Sequence, residues 1–118
     1  MSLCARTVLA LALLQAGSWA LADIKPLPPD QWPHTLKAAV PAIVSSMLPV
    51  QRSIIGGSSK DNLPLFAGEW GEEIQVLLGL GKGNTDLLQD VCGPANCTPD
   101  QAALRLMEAT WDALQAAQ

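Results

Sequence analysis

Basic side chains are scarce in this 118-residue chain, where seven Lys and Arg face eleven Asp and Glu and there is a single histidine. A surface with that balance repels phosphate backbones and anionic lipid, which argues against nucleic acid or an acidic membrane surface as partner. Metal ligands are equally thin. His34 lies far in sequence from Cys92 and Cys97, whose C-x4-C spacing supplies two ligands where a structural zinc site needs four, and no C-x-x-C-H run exists to attach a haem. The glycine-rich stretches at residues 56–60 and 79–85 lack the G-x-x-x-x-G-K-[ST] spacing that cradles phosphates. No cofactor or metal is therefore expected. Long apolar runs are missing too, because the run from Thr7 to Leu14 falls well short of the roughly 20 residues that span a bilayer and no stop-transfer segment follows. Strands are also short of partners: residues 74–78 could form one, but no second convincing strand exists to pair with it, so the chain is expected to be all-α.

What is present begins with an export signal. Arg6 precedes the apolar run, and Ala20-Leu21-Ala22 is a small-x-small cleavage sequence, so residues 1–22 are expected to be a signal peptide cut after Ala22, taking Cys4 with it. Cleavage leaves 96 residues carrying six basic and eleven acidic groups, a net charge of −5, with no stable membrane anchor. That length suits one domain with a modest core. Two cysteines remain, and an even number in an exported chain reads as a disulfide between Cys92 and Cys97 in an oxidising compartment, the periplasm or the exterior. Closing so short a loop contributes about 2 kcal/mol on the chain-entropy account.

Proline density over residues 23–29 predicts a stiff extended lead-in, followed by a single helical domain over residues 30–118. Asp30 is expected to cap a stripe of Trp32, Leu36, Val40, Ile43, Met47, Val50 and Ile54, broken near Val40-Pro41. Residues 56–60 are expected to be a loop, with Asp61 or Asn62 capping a second stripe of Leu63, Phe66, Trp70, Ile74, Leu77 and Leu78. Gly68 and Gly71 weaken that helix, unless they allow a neighbouring backbone to approach. Gly79 to Gly83 should end it, and Asn84 or Thr85 should cap a short helix through Val91. Thr98 and Pro99 then mark the start of a last helix, with Leu104, Met107, Trp111 and Leu114 inward, four alanines (Ala102, Ala103, Ala109 and Ala113) flanking them, and Arg105, Glu108, Asp112 and Gln115 outward. The sum is a small bundle of four or five short helices with one disulfide, in which Trp32, Trp70 and Trp111 are expected to meet.

For catalysis the sequence assembles little. His34 has no acid partner within reach of sequence reasoning, Ser45-Ser46 and Ser58-Ser59 have no assignable base, and oxidised cysteines offer no thiolate. The chain is expected not to be an enzyme. Glu69, Glu72 and Glu73 on an exposed helix face, with Lys82 and Asn84 in the adjoining loop, are instead the expected contacts for a protein partner.

Cys92-x-Pro94-x-x-x-Thr98-x-x-Gln101 leading into a helix, with Leu77-Leu78-Gly79-Leu80 upstream, resembles the C-terminal signature of Rap/Tai-type immunity proteins. The resemblance implies a small exported helical protein that neutralises a cell-wall amidase delivered by type VI secretion. The expected function is accordingly a periplasmic immunity protein or inhibitor that blocks the site of a secreted hydrolase or toxin. The other reading is a periplasmic chaperone or accessory component of a secretion or pilus assembly system.

Overall fold

The structure, a computed structural model, describes residues 25–117. The expected signal peptide and the first residues of the lead-in lie outside the described residues. Within them the fold is all-α: five α-helices, joined by 3-10 and π turns, with no strand.

The lead-in is docked rather than free-standing. Leu27 N donates to Leu77 O (3.0 Å), and the Trp32 indole Nε1 donates to Leu27 O (3.0 Å). Asp30 does not cap the first α-helix; it sits in a 3-10 turn over Pro29–Gln31. Pro33 disfavours helical geometry for Trp32, so α1 (Leu36–Ser46) begins only after it, with Thr35 Oγ1 accepting from Ala38 N at 3.1 Å. The break also falls elsewhere than expected. α1 runs through Pro41, because that ring and Lys37, whose carbonyl loses its partner, both face solvent. Pro49 is the proline that interrupts: it holds Leu48 extended (φ −70°, ψ 153°) and occupies the first position of α2 (Pro49–Gly57). The stripe consequently changes register, with Gln51 and Ile55 buried in α2 while Val50 and Ile54 are 50% and 42% exposed. Gly56 and Gly57, expected in a loop, form the last turn of α2.

From Lys60 to Leu78 the chain coils without interruption but changes pitch, from a tight 3-10 segment (Lys60–Phe66) through a wide π turn (Ala67–Gly71) to α3 (Glu72–Leu78). Ser59, not Asp61 or Asn62, precedes the coil, and its side chain makes no capping bond. The predicted stripe is nonetheless the buried one, because the wide turn keeps Phe66, Trp70 and Ile74, spaced by four, on the inner side.

α4 (Thr85–Cys92) is capped by Asn84 and leads into the Cys92–Cys97 disulfide, whose Cα atoms are 5.5 Å apart. α5 (Pro99–Ala116) starts as predicted: Thr98 Oγ1 accepts from Gln101 N (3.2 Å), and Gln101 Oε1 accepts from Thr98 N (2.9 Å). This helix touches all four others and both segments of the wide coil. Covered on both flanks, it buries Ala102, Ala103, Leu106, Met107 and Thr110; Leu104, Trp111 and Leu114, predicted inward, lie half-buried at the edge. Alanines fill the centre because small side chains let several helices approach at once. Its polar residues reach other helix ends instead of solvent alone. Arg105 Nη1 donates to Val91 O near the end of α4 (3.1 Å), while Gln115 Nε2 donates to Gly56 O (2.7 Å) and Trp111 Nε1 to Ser58 O (2.9 Å) at the end of α2. The tryptophans thus serve different places: Trp70 in the core, Trp111 at the end of α2, and Trp32 over Gly79.

Candidate partner-binding face

The outer side of α3 carries two adjoining grooves. One, of about 240 Å³, lies between Pro26 of the lead-in, Glu72, Gln75 and Val76 of α3, and Gly81 and Lys82 of the following loop. The second, of about 340 Å³, separates the π turn, at Ala67, Gly68 and Gly71, from Asp100, Ala103 and Met107 of α5. Gln75 borders both, and its Nε2 donates to Asp100 Oδ1 at 2.7 Å, so a hydrogen-bonded ridge divides them. Val76 provides an exposed apolar floor, while Glu72, Asp100 and Lys82 supply charge at the rim.

Of the residues predicted for partner contact, Glu72 and Lys82 meet at one groove although ten positions separate them in sequence. Glu69 is exposed on the π turn but lines neither groove. Glu73 turns away, half-buried, toward a different cavity beneath α3 that Ser46, Gln51 and Trp70 also line. Asn84 is a correction. It is 2% exposed, its Nδ2 donates to Leu78 O (2.8 Å) and Pro33 O (3.1 Å), and its Oδ1 accepts from Leu87 N (3.3 Å). Those bonds tie the segment before α1, α3 and α4 together, which leaves Asn84 nothing to offer a partner. Its capping role was readable in sequence; its burial depended on the lead-in folding back over it. Gln75, Val76 and Asp100 went unpredicted as site residues, because only packing of α3 on α5 makes them rims.

His34 does have an acid partner, contrary to expectation: its Nδ1 lies 3.3 Å from Asp86 Oδ2, with side chains 60% and 70% exposed. A pair so open to water is an ordinary surface contact, without the desolvated, oriented setting that makes a general base effective. Among the described residues no three His, Cys, Asp or Glu side chains converge as a metal site, and no helix is long and apolar enough to cross a membrane.

Comparison with protein families, with curated proteins and with solved structures finds no match.

Proposed function

We propose that the chain is an exported, non-enzymatic binding protein, an immunity protein or inhibitor that neutralises a secreted toxin or cell-wall hydrolase by seating the outer side of α3 against it. The observation that carries this reading is the meeting of Glu72 and Lys82 across an apolar floor at Val76, beside a second groove with an acidic rim. Opposite charges flanking exposed apolar surface give a partner both area to bury and a fixed register. The elements bearing these groups are held by the disulfide, the α5 capping box and the Asn84 bonds, which supports a preorganised surface and keeps the ordering cost of docking low. Cell-envelope extract passed over immobilised protein provides the test. Reversing charge with Glu72→Lys and Lys82→Glu together should reduce capture of the specific partner at least about tenfold, equivalent to about 1.4 kcal/mol, with an unchanged thermal midpoint. Capture that is equally strong with both charges reversed would remove this face as the interface.

A second reading, a chaperone or assembly accessory protein, draws on Val50, Ile54 and Leu48, exposed around α2, and on Leu65, which is 80% exposed. None of these side chains lines either groove beside α3, which favours the first reading. Strong binding of a hydrophobic dye by the folded protein would reverse that preference.

A further inference from the structure

Asp100 places a carboxylate at the groove beside the π turn. Its Oδ1 accepts from Gln75 Nε2 at 2.7 Å, and both residues line that groove. A carboxylate oxygen only accepts, so the Gln75 amide must turn its NH2 group toward it. Two acceptors are left on the same ridge, Asp100 Oδ2 and Gln75 Oε1, neither of them bonded among the described residues. Asp100 is not consumed as a helix cap either, because Thr98 and Gln101 already form the capping box of α5. Among the residues that line the groove it alone is charged. The remainder is apolar, with Met107 and Ala103 0% and 1% exposed. A Cβ added at Gly68 would meet nothing within 4 Å and one at Gly71 would lie 3.5 Å from Met107 Sδ, so the missing side chains keep the groove clear.

These groups select their occupant. An acidic side chain is repelled by Asp100, and a purely apolar one would take Oδ2 out of water without giving it a donor. A guanidinium pairs best with a carboxylate through two parallel bonds, but Oδ1 already accepts from Gln75. A primary ammonium is a compact charge with three donors, able to meet Oδ2 and Oε1 together while its methylene stem covers Met107 and Ala103.

We propose, resting on the reading of this face as an interface, that the groove receives a lysine side chain of the protein partner, its stem on Met107 and its ammonium against Asp100. Asp100, absent from the predicted contacts, thereby becomes the anchor, and Glu72 and Lys82 in the adjoining groove set the register.

The test is an NMR titration of the full chain with labelled methionine methyl groups, using Nα-acetyl-lysine N-methylamide as probe and its norleucine and arginine counterparts as controls. The Met107 methyl signal should shift saturably with the lysine probe, at a concentration about tenfold below that needed for norleucine, as one charge-assisted hydrogen bond allows, with arginine between them. Asp100→Asn keeps an acceptor for Gln75 and should erase that difference. Gly68→Gln, which leaves Asp100 intact but fills the groove, should abolish the shift. Equal responses to lysine and norleucine, a stronger response to arginine, an unchanged preference in Asp100→Asn, or no response to any probe would overturn the proposal. Loss of capture on reversing Glu72 and Lys82, with no lysine response, removes this anchor and leaves the face as the interface. A lysine response with capture unchanged supports the groove as a lysine site while removing Glu72 and Lys82 from the interface.

Discussion

The two ends of α3 are both marked by glycine and are built in opposite ways. At its C-terminal end Gly79 adopts the left-handed conformation (φ +70°) directly beneath the Trp32 indole, where any side chain would overlap the ring. Around it Leu27 N bonds Leu77 O, Asn84 bonds Leu78 O and Pro33 O, and Asn84 N bonds Gly79 O. At the N-terminal end Gly68 sits in the π turn, where a side chain would meet nothing within 4 Å, although Gly71, next to the helix, is buried against Met107. The first glycine is needed by its neighbours; the second borders open groove. A single short helix thus joins the most constrained part of the molecule to a part whose shape leaves surface available. Wide turns of this kind occur often at functional sites.

Gly79→Ala is the sharpest way to break that comparison and has the largest expected effect. Left-handed backbone at a residue bearing Cβ and the clash with Trp32 should together destabilise by about 3 kcal/mol, measured by urea unfolding. Repeating the substitution in a Trp32→Ala background separates the two causes. With the ring gone the increment should fall to about 1 kcal/mol, the conformational part alone. An undiminished increment would mean that the indole does not define this end.

Asn84→Ala ranks next. Losing a helix cap and leaving the buried Leu78 carbonyl without its donor should cost about 2 kcal/mol. Asn84→Asp keeps the acceptor for Leu87 N but puts a buried carboxylate oxygen where Nδ2 faces Leu78 O and Pro33 O, so at neutral pH it should destabilise at least as much as Asn84→Ala. A clearly smaller loss in Asn84→Asp than in Asn84→Ala would mean that the cap to Leu87 N, and not the Nδ2 bonds, carries most of the effect.

This contrast also marks where sequence reasoning succeeded. Caps and stops are local, so Thr98-Pro99 with Gln101, Asn84 and Gly79 were legible from residue type and spacing, as was the stripe from Leu63 to Leu78. Which of two prolines breaks a helix was not, since Pro41 is tolerated only because its side of α1 faces water. The inward face of α5 was misjudged for a related reason. Large apolar residues advertise burial, and Met107 is buried as expected, yet with helices on both flanks Ala102, Ala103 and Leu106 share the centre while Leu104, Trp111 and Leu114 lie at the edge. Contacts between distant positions, such as His34 with Asp86 and Arg105 with Val91, and the placing of Glu72 and Lys82 on one groove, have no local pattern at all. The candidate face was therefore half visible: its charges could be nominated, but not the grooves that group them.

Gly68→Ala tests the open end and has the smallest expected effect. Alanine is favoured over glycine by up to about 1 kcal/mol inside an α-helix, partly by restricting the unfolded chain, and nothing near Gly68 opposes a methyl group. The π turn is not α-helix, so the gain should lie between zero and that figure, read as a thermal midpoint unchanged or slightly raised. Gly68→Gln carries the same substitution to a side chain long enough to occupy the groove; it should leave the unfolding free energy within about 0.5 kcal/mol, as surface changes generally do, while weakening capture of a partner that uses the groove. A marked loss of stability in Gly68→Ala would show that the wide turn requires glycine as strictly as the Trp32 contact does. In that event both ends of α3 would be locked, and the pitch change would be a packing solution with no bearing on the surface beside it.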